Sequence, residues 1–134
     1  LGDVYKRQVL AQGEICANGP DRCYRCKTFI FSTILARMAE DGFEVLADGT
    51  NVTDDPANRP GFQALAELGV VSPLRRAGMT KDDVRAASRE LGLFTADKPS
   101  FSCIAVHVGE GRPITAAALA ETAERLGVAD GRRP

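Results

Sequence analysis

At 134 residues, 44% apolar and 26% charged, the chain has the length of one domain and the composition of an ordinary globular protein. Its 17 basic and 18 acidic residues nearly cancel, which argues against a general binder of nucleic acid or of a membrane surface. No apolar run approaches the roughly 18 residues that a membrane helix needs, and no stretch has a signal peptide's basic flank and apolar centre, so the expected location is the cytoplasm.

In chain order, residues 1–8 (LGDVYKRQ) read as a translated adapter left by sequence assembly, and 9–134 as a fragment of one domain. A helix is predicted from Asp21 or Arg22. Its apolar stripe is Ile30, Ile34 and Met38, with Phe31 and Leu35 beside them, and Gly42 is its stop. Phe43 to Ala47 reads as a strand with Phe43, Val45 and Ala47 on one face. Phe62 to Leu68 is a short helix closed by Gly69, followed by strand-like Val70, Val71 and Ser72. Thr80 caps the next helix, with Asp83 completing a capping box and Met79 stapling against Val84; that helix stops at Gly92. A last helix starts at Thr115, with Ile114 and Leu119 as its staple, and ends at Gly127. Strands alternating with helices predict an α/β domain with a parallel sheet, whose ligands bind beyond the carboxyl ends of the strands.

Four segments could carry chemistry. Cys23-Tyr24-Arg25-Cys26 opens a helix, and two residues between cysteines let both sulfurs face one metal. Cys103 could supply a third thiolate and leave one coordination position open, whereas a structural zinc would also want Cys16. A pair of half-buried thiols without metal is the plain alternative. Asp48-Gly49-Thr50-Asn51 follows a strand, with Asp54 or Asp55 able to hold magnesium; an Asx-rich turn is equally consistent with those residues. Arg59, Arg75 and Arg76 have the planar fork that suits phosphate, although most surface arginines are simply solvated. Finally, Cys103 ends a loop that contains Lys98, the setting of a reactive thiol, although a buried, inert cysteine is the plainer reading of those residues alone; His107, the single histidine, lies four residues on as a base or a phosphate donor, or as an ordinary structural histidine.

The order of these segments is more specific than any one of them. Asn18-Gly19-Pro20-Asp21-Arg22-Cys23-Tyr24-Arg25-Cys26-Lys27 resembles a signature of the LarE-type ATP-dependent sulfur transferases. Asp48-Gly49-Thr50-Asn51, Arg59-Pro60-Gly61, Ser72-Pro73-Leu74-Arg75, Ala77-Gly78-Met79-Thr80-Lys81, Leu91-Gly92-Leu93 and Asp97-Lys98-Pro99 continue the resemblance in register. Cys103 falls where that family places its functional cysteine, and the likeness covers about residues 18–120.

The resemblance implies a PP-loop ATP pyrophosphatase fold, of which this chain would hold part of the parallel sheet. It implies adenylylation of a pyridinium dicarboxylate mononucleotide followed by replacement of the activated oxygen with sulfur, in nickel-pincer cofactor biosynthesis. Cys103 would be catalytic. Asp48, Gly49, Thr50, Asn51, Asp55, Arg59, Arg75 and Lys98 would bind nucleotide or substrate, with ATP and Mg2+ as cofactors. The family has a sacrificial-cysteine route and a route that carries sulfide on a 4Fe–4S cluster held by three cysteines. Cys23 and Cys26 beside Cys103 favour the cluster. The expected partners are a small-molecule nucleotide substrate and further copies of the chain in a homo-oligomer, and neither a nucleic acid nor a membrane.

This chain departs from the family where Ile104-Ala105-Val106-His107 and Gly109-Glu110-Gly111 stand in place of a Ser-Arg pair and Pro-Tyr-Gly. Arg76 replaces a usual acidic residue and Ala96 a usual aromatic one. The family's Ser-Gly-Gly-x-Asp-Ser phosphate loop does not occur in these residues, so this polypeptide is expected not to turn over ATP by itself. The alternatives are another PP-loop enzyme, tRNA-thiolating or amide-forming, and a non-catalytic zinc module of Cys16, Cys23, Cys26 and Cys103.

Overall fold

A computed structural model of the chain describes residues 8–58 and 60–128. Residues 1–7 of the adapter-like segment and Arg59 therefore lie outside the described residues. The chain forms two compact units, one of Leu1–Ile30 with Phe101–Pro134 and one of Phe31–Ser100.

Helices dominate the described residues: α1 (Gly13–Cys16), α2 (Arg22–Glu40), α3 (Gly61–Glu67), α4 (Pro73–Arg76), α5 (Lys81–Glu90) and α6 (Ala116–Arg125). Two 3₁₀ turns, Pro56–Asn58 and Ile104–His107, complete the order. The local signals place the long elements well. Helix α2 begins at Arg22, and its predicted stop is built as a Schellman motif: Phe43 N–H donates to Met38 O, and Gly42 N–H to Ala39 O. That motif needs a left-handed residue, and Gly42, at φ 78°, adopts it without a Cβ penalty. The same pair of bonds closes the helices before Gly69, Gly92 and Gly127.

The start signals are equally direct. Thr80 Oγ1 accepts from Asp83 N–H at 3.2 Å while Asp83 Oδ2 accepts from Thr80 N–H at 2.8 Å, satisfying two orphan donors reciprocally. The Thr80 hydroxyl, with its N–H, holds the Asp83 carboxyl below the usual carboxylate range. Thr80→Ala is expected to cost about 1 kcal/mol, read as a lower urea midpoint with an unchanged slope. Thr115 caps α6 by accepting from Ala118 N–H at 3.0 Å.

The first unit has its core at Val108, Ile114 and Ala118, all buried, with Leu10, Ala105 and Leu119 packed against them. Ile114 and the stapling Leu119 thus meet one apolar cluster, as the sequence predicts. Two links tie the segment before α2 to the segment before α6. Ile114 N–H donates to Cys16 O at 2.8 Å, and Asn18 Nδ2 donates to Gly109 O at 2.6 Å and Arg112 O at 2.9 Å. In the second unit Ala64 and Leu65 of α3 are buried, and Val70 N–H returns to Leu65 O.

The expected strands shrink to a single contact. Segments 43–47 and 70–72 have no regular structure beyond one isolated parallel bridge, Ala47 with Val71. No strand forms among the described residues. Parallel pairing is stable when both faces of the sheet are covered, yet Phe43 is 67% and Val45 66% exposed. The stripe of α2 is likewise half-buried, with no fully buried residue among those described. Among the described residues no helix is long and apolar enough to cross a membrane.

Candidate functional site

The first unit gathers all four cysteines. Cys23 and Cys26 stand one turn apart at the start of α2 and are partly covered, as is Cys16, while Cys103 is exposed. Cys103 itself is the residue before the 104–107 turn, with Val106 N–H closing on its carbonyl at 3.0 Å. Burial pushes the Cys26 thiol up; the neighbouring thiols of Cys103, Cys23 and Cys16 add to the rise, and Arg22 opposes it. Arg22 and the Ala105–Val106 turn line one cleft, so the fold brings the segment after Cys103 near the start of the CxxC motif across some eighty residues of chain. The sulfurs are neighbours without being a finished ligand shell: among the described residues no three His, Cys, Asp or Glu side chains stand in a metal-binding array.

Each thiol has its own surroundings. Arg22 Nη2 donates to Cys23 Sγ at 3.1 Å, a contact that the signature contained but to which sequence reasoning gave no role. A cation one residue before a cysteine was the available signal. Cys16 Sγ donates to Leu10 O at 3.4 Å, a local backbone bond that accounts for it without a metal. Beside Cys103, Ser102 Oγ pairs with His107 Nε2 at 2.7 Å, and Arg125 donates to His107 O at 2.7 Å. Arg25, between the two cysteines of the motif, is engaged with Asp21 and Glu14, which raise its pKa.

The second unit organises the Asp48–Asn51 segment directly after the parallel bridge. The Asp48 carboxylate accepts from Thr50 N–H at 3.1 Å, from Thr50 Oγ1 at 2.6 Å and from Ser72 Oγ at 2.7 Å. Asn51 N–H donates to Asp54 Oδ2 at 3.1 Å, and Thr53 N–H to Asn51 Oδ1 at 3.0 Å. Gly49 is exposed, with open space where a Cβ would stand. Arg75 is tied into this loop: its Nη1 donates to Asn51 O at 3.1 Å and Asp54 O at 2.8 Å, and its guanidinium lies 5.7 Å from the Phe62 ring centre. The arginine expected to reach a ligand thus also shapes the loop. Ser72, whose hydroxyl holds Asp48, was quoted in the motif without a role.

Two further candidates have other contacts. Asp55 Oδ1 accepts from Ala57 N–H at 2.9 Å, and Lys98 Nζ lies 4.9 Å from the Phe94 ring centre while its carbonyl accepts from Arg85.

No family model matches the chain. Curated proteins do. The chain is 35% identical to an uncharacterised protein of Synechocystis over 128 residues, covering 96% of this chain and 46% of that protein. It is 29% identical to an uncharacterised protein of Methanocaldococcus jannaschii over 108 residues, covering 81% and 42% respectively. It is 32% identical to the pyridinium-3,5-bisthiocarboxylic acid mononucleotide synthase of Lactiplantibacillus plantarum over 106 residues, covering 79% and 38%. The chain spans less than half the length of each of these relatives, and its kinship with the synthase is distant.

Proposed function

We propose, from its distant kinship with a bisthiocarboxylic acid mononucleotide synthase, that this chain is the cysteine-bearing part of a LarE-type, ATP-dependent sulfur transferase of the PP-loop class. The reaction would adenylylate a carboxylate of a pyridinium dicarboxylate mononucleotide, release pyrophosphate and replace the activated oxygen with sulfur. The chemical logic is that of an activated acyl group: adenylylation turns a poor leaving oxygen into a good one, which a sulfur nucleophile then displaces. The observation that carries the reading is the 32% identity to that synthase over 106 residues, 79% of this chain.

Residue roles follow from the contacts. The Asp48–Asn51 loop, fixed by Ser72 and Arg75, would present backbone groups to the nucleotide at open Gly49, with Asp54 or Asp55 beside a magnesium ion. Arg75 would act by holding that loop in shape, and Lys98 would be a cation to meet phosphate, a role that the motif resemblance alone also suggests for Arg59. Cys103, exposed at the head of its turn, would be the thiol that takes part in sulfur delivery.

By donor chemistry, the thiols of Cys23, Cys26 and Cys103 fit a 4Fe–4S cluster. Held by three thiolates, such a cluster would leave one iron free to carry sulfide. Anaerobic reconstitution with iron and sulfide tests this reading. Near-stoichiometric cluster absorbance is expected, falling at least severalfold in Cys23→Ser. One tight colourless zinc would point to the zinc module, and undiminished iron in Cys23→Ser would point to other ligands or to a sacrificial cysteine.

A further inference from the structure

The first unit holds a cleft of about 310 Å³, near the lower end of the range for small-molecule pockets. Its walls come from the segment just before Cys23 and from the turn that follows Cys103, so an occupant would sit beside the cysteine neighbourhood. One wall is fixed. Asn18 is 4% exposed, and its amide is committed to the carbonyls of Gly109 and Arg112. Ala105 and Val106 make part of the lining apolar.

The cleft has two charged groups of opposite sign. Arg22 contributes a half-buried guanidinium whose Nη2 also touches Cys23 Sγ, leaving other N–H donors of the fork for an incoming anion. Glu110 contributes a carboxylate that has no hydrogen bond or ion pair among the described residues. The two are not paired with each other among the described residues. A small cleft with one separate charge of each sign suits a zwitterion better than a simple anion, which Glu110 would repel.

We infer that this cleft binds a free α-amino acid with a short thiol side chain, its carboxylate on Arg22 and its ammonium on Glu110. The site stands on the cleft alone and does not depend on the sulfur-transfer reading. The apolar wall would take the short side chain. Contact of Arg22 with the Cys23 sulfur would hold the bound amino acid next to the thiol pair.

Isothermal titration calorimetry of the chain under anaerobic, reducing conditions, without ATP or iron, tests the site. The probes are L-cysteine, cysteamine, which lacks the carboxylate, and 3-mercaptopropionate, which lacks the ammonium. Saturable binding of L-cysteine is expected, with each truncated probe at least about tenfold weaker, the scale of one charged hydrogen bond. Arg22→Gln and Glu110→Gln should each weaken L-cysteine similarly, with unchanged circular dichroism. The pattern should also cross: Arg22→Gln spares cysteamine and Glu110→Gln spares 3-mercaptopropionate. Equal affinity for all three probes, no saturable binding, or variants that bind L-cysteine like the parent would overturn the site. Cluster reconstitution is a separate assay: its failure with cysteine binding intact would strike the proposed function and leave the cleft, and the reverse result would strike the cleft alone.

Discussion

Under the proposed function, Cys103→Ala in the whole protein is expected to abolish sulfur transfer while ATP-dependent release of pyrophosphate continues. The expected loss is at least roughly a thousandfold, the scale on which removing a nucleophile is felt. The change should be mild for the fold, because Cys103 is exposed and its side chain makes no capping hydrogen bond to the turn it precedes. Structural collapse is therefore a poor explanation of lost activity, and retained adenylylation would exclude it directly. Cys103→Ser should fare no better, since a hydroxyl can neither ligate a cluster as a thiolate does nor give up sulfur. Thiolated product at the parent's rate from either variant would remove Cys103 from the mechanism.

Asn18→Ala should damage the first unit substantially. Asn18 stands at φ 58°, a left-handed conformation that costs an alanine about 1 kcal/mol or more. Its Nδ2 bridges two carbonyls, at Gly109 and Arg112, and its own carbonyl accepts from Gly111 N–H at 3.3 Å. Losing the two side-chain bonds at a site 4% exposed adds roughly 2 kcal/mol, for a total near 3 kcal/mol. Asn18→Gly separates the terms, because glycine adopts the backbone freely yet makes neither bond. It should recover about a third of the loss in urea denaturation. Equal stability of Asn18→Ala and the parent would mean that the bridge contributes nothing to holding the 109–112 loop.

What could be read from the sequence follows from how local each signal is. The Thr80 capping box, the Thr115 cap and the glycine stops at 42, 69, 92 and 127 are set by residues within a turn or so of one another, and they stand where predicted. The strand at 43–47 depends on partners and a covering layer, and these residues supply one bridge to Val71. Helices α1 and α4 have four residues each, too few to display a periodicity, and passed unread. At the site, the motif residues Asp48, Thr50 and Asn51 do form one hydrogen-bonded cluster. The grip of Arg75 on the carbonyls of residues 51 and 54 was not legible, because it depends on where α4 sits relative to the loop.

That grip has a thermodynamic consequence. With the backbone of residues 48–54 pinned by Arg75, Ser72 and the Asp48 and Asp54 carboxylates, the entropy of shaping the segment is lost once, during folding. A molecule arriving there would meet a rigid surface and owe little further ordering cost, so its association should be fast and nearly free of an induced-fit phase. Arg75→Ala would remove both bonds from Nη1 to the carbonyls of residues 51 and 54, and would turn the same encounter into a slower, coupled one.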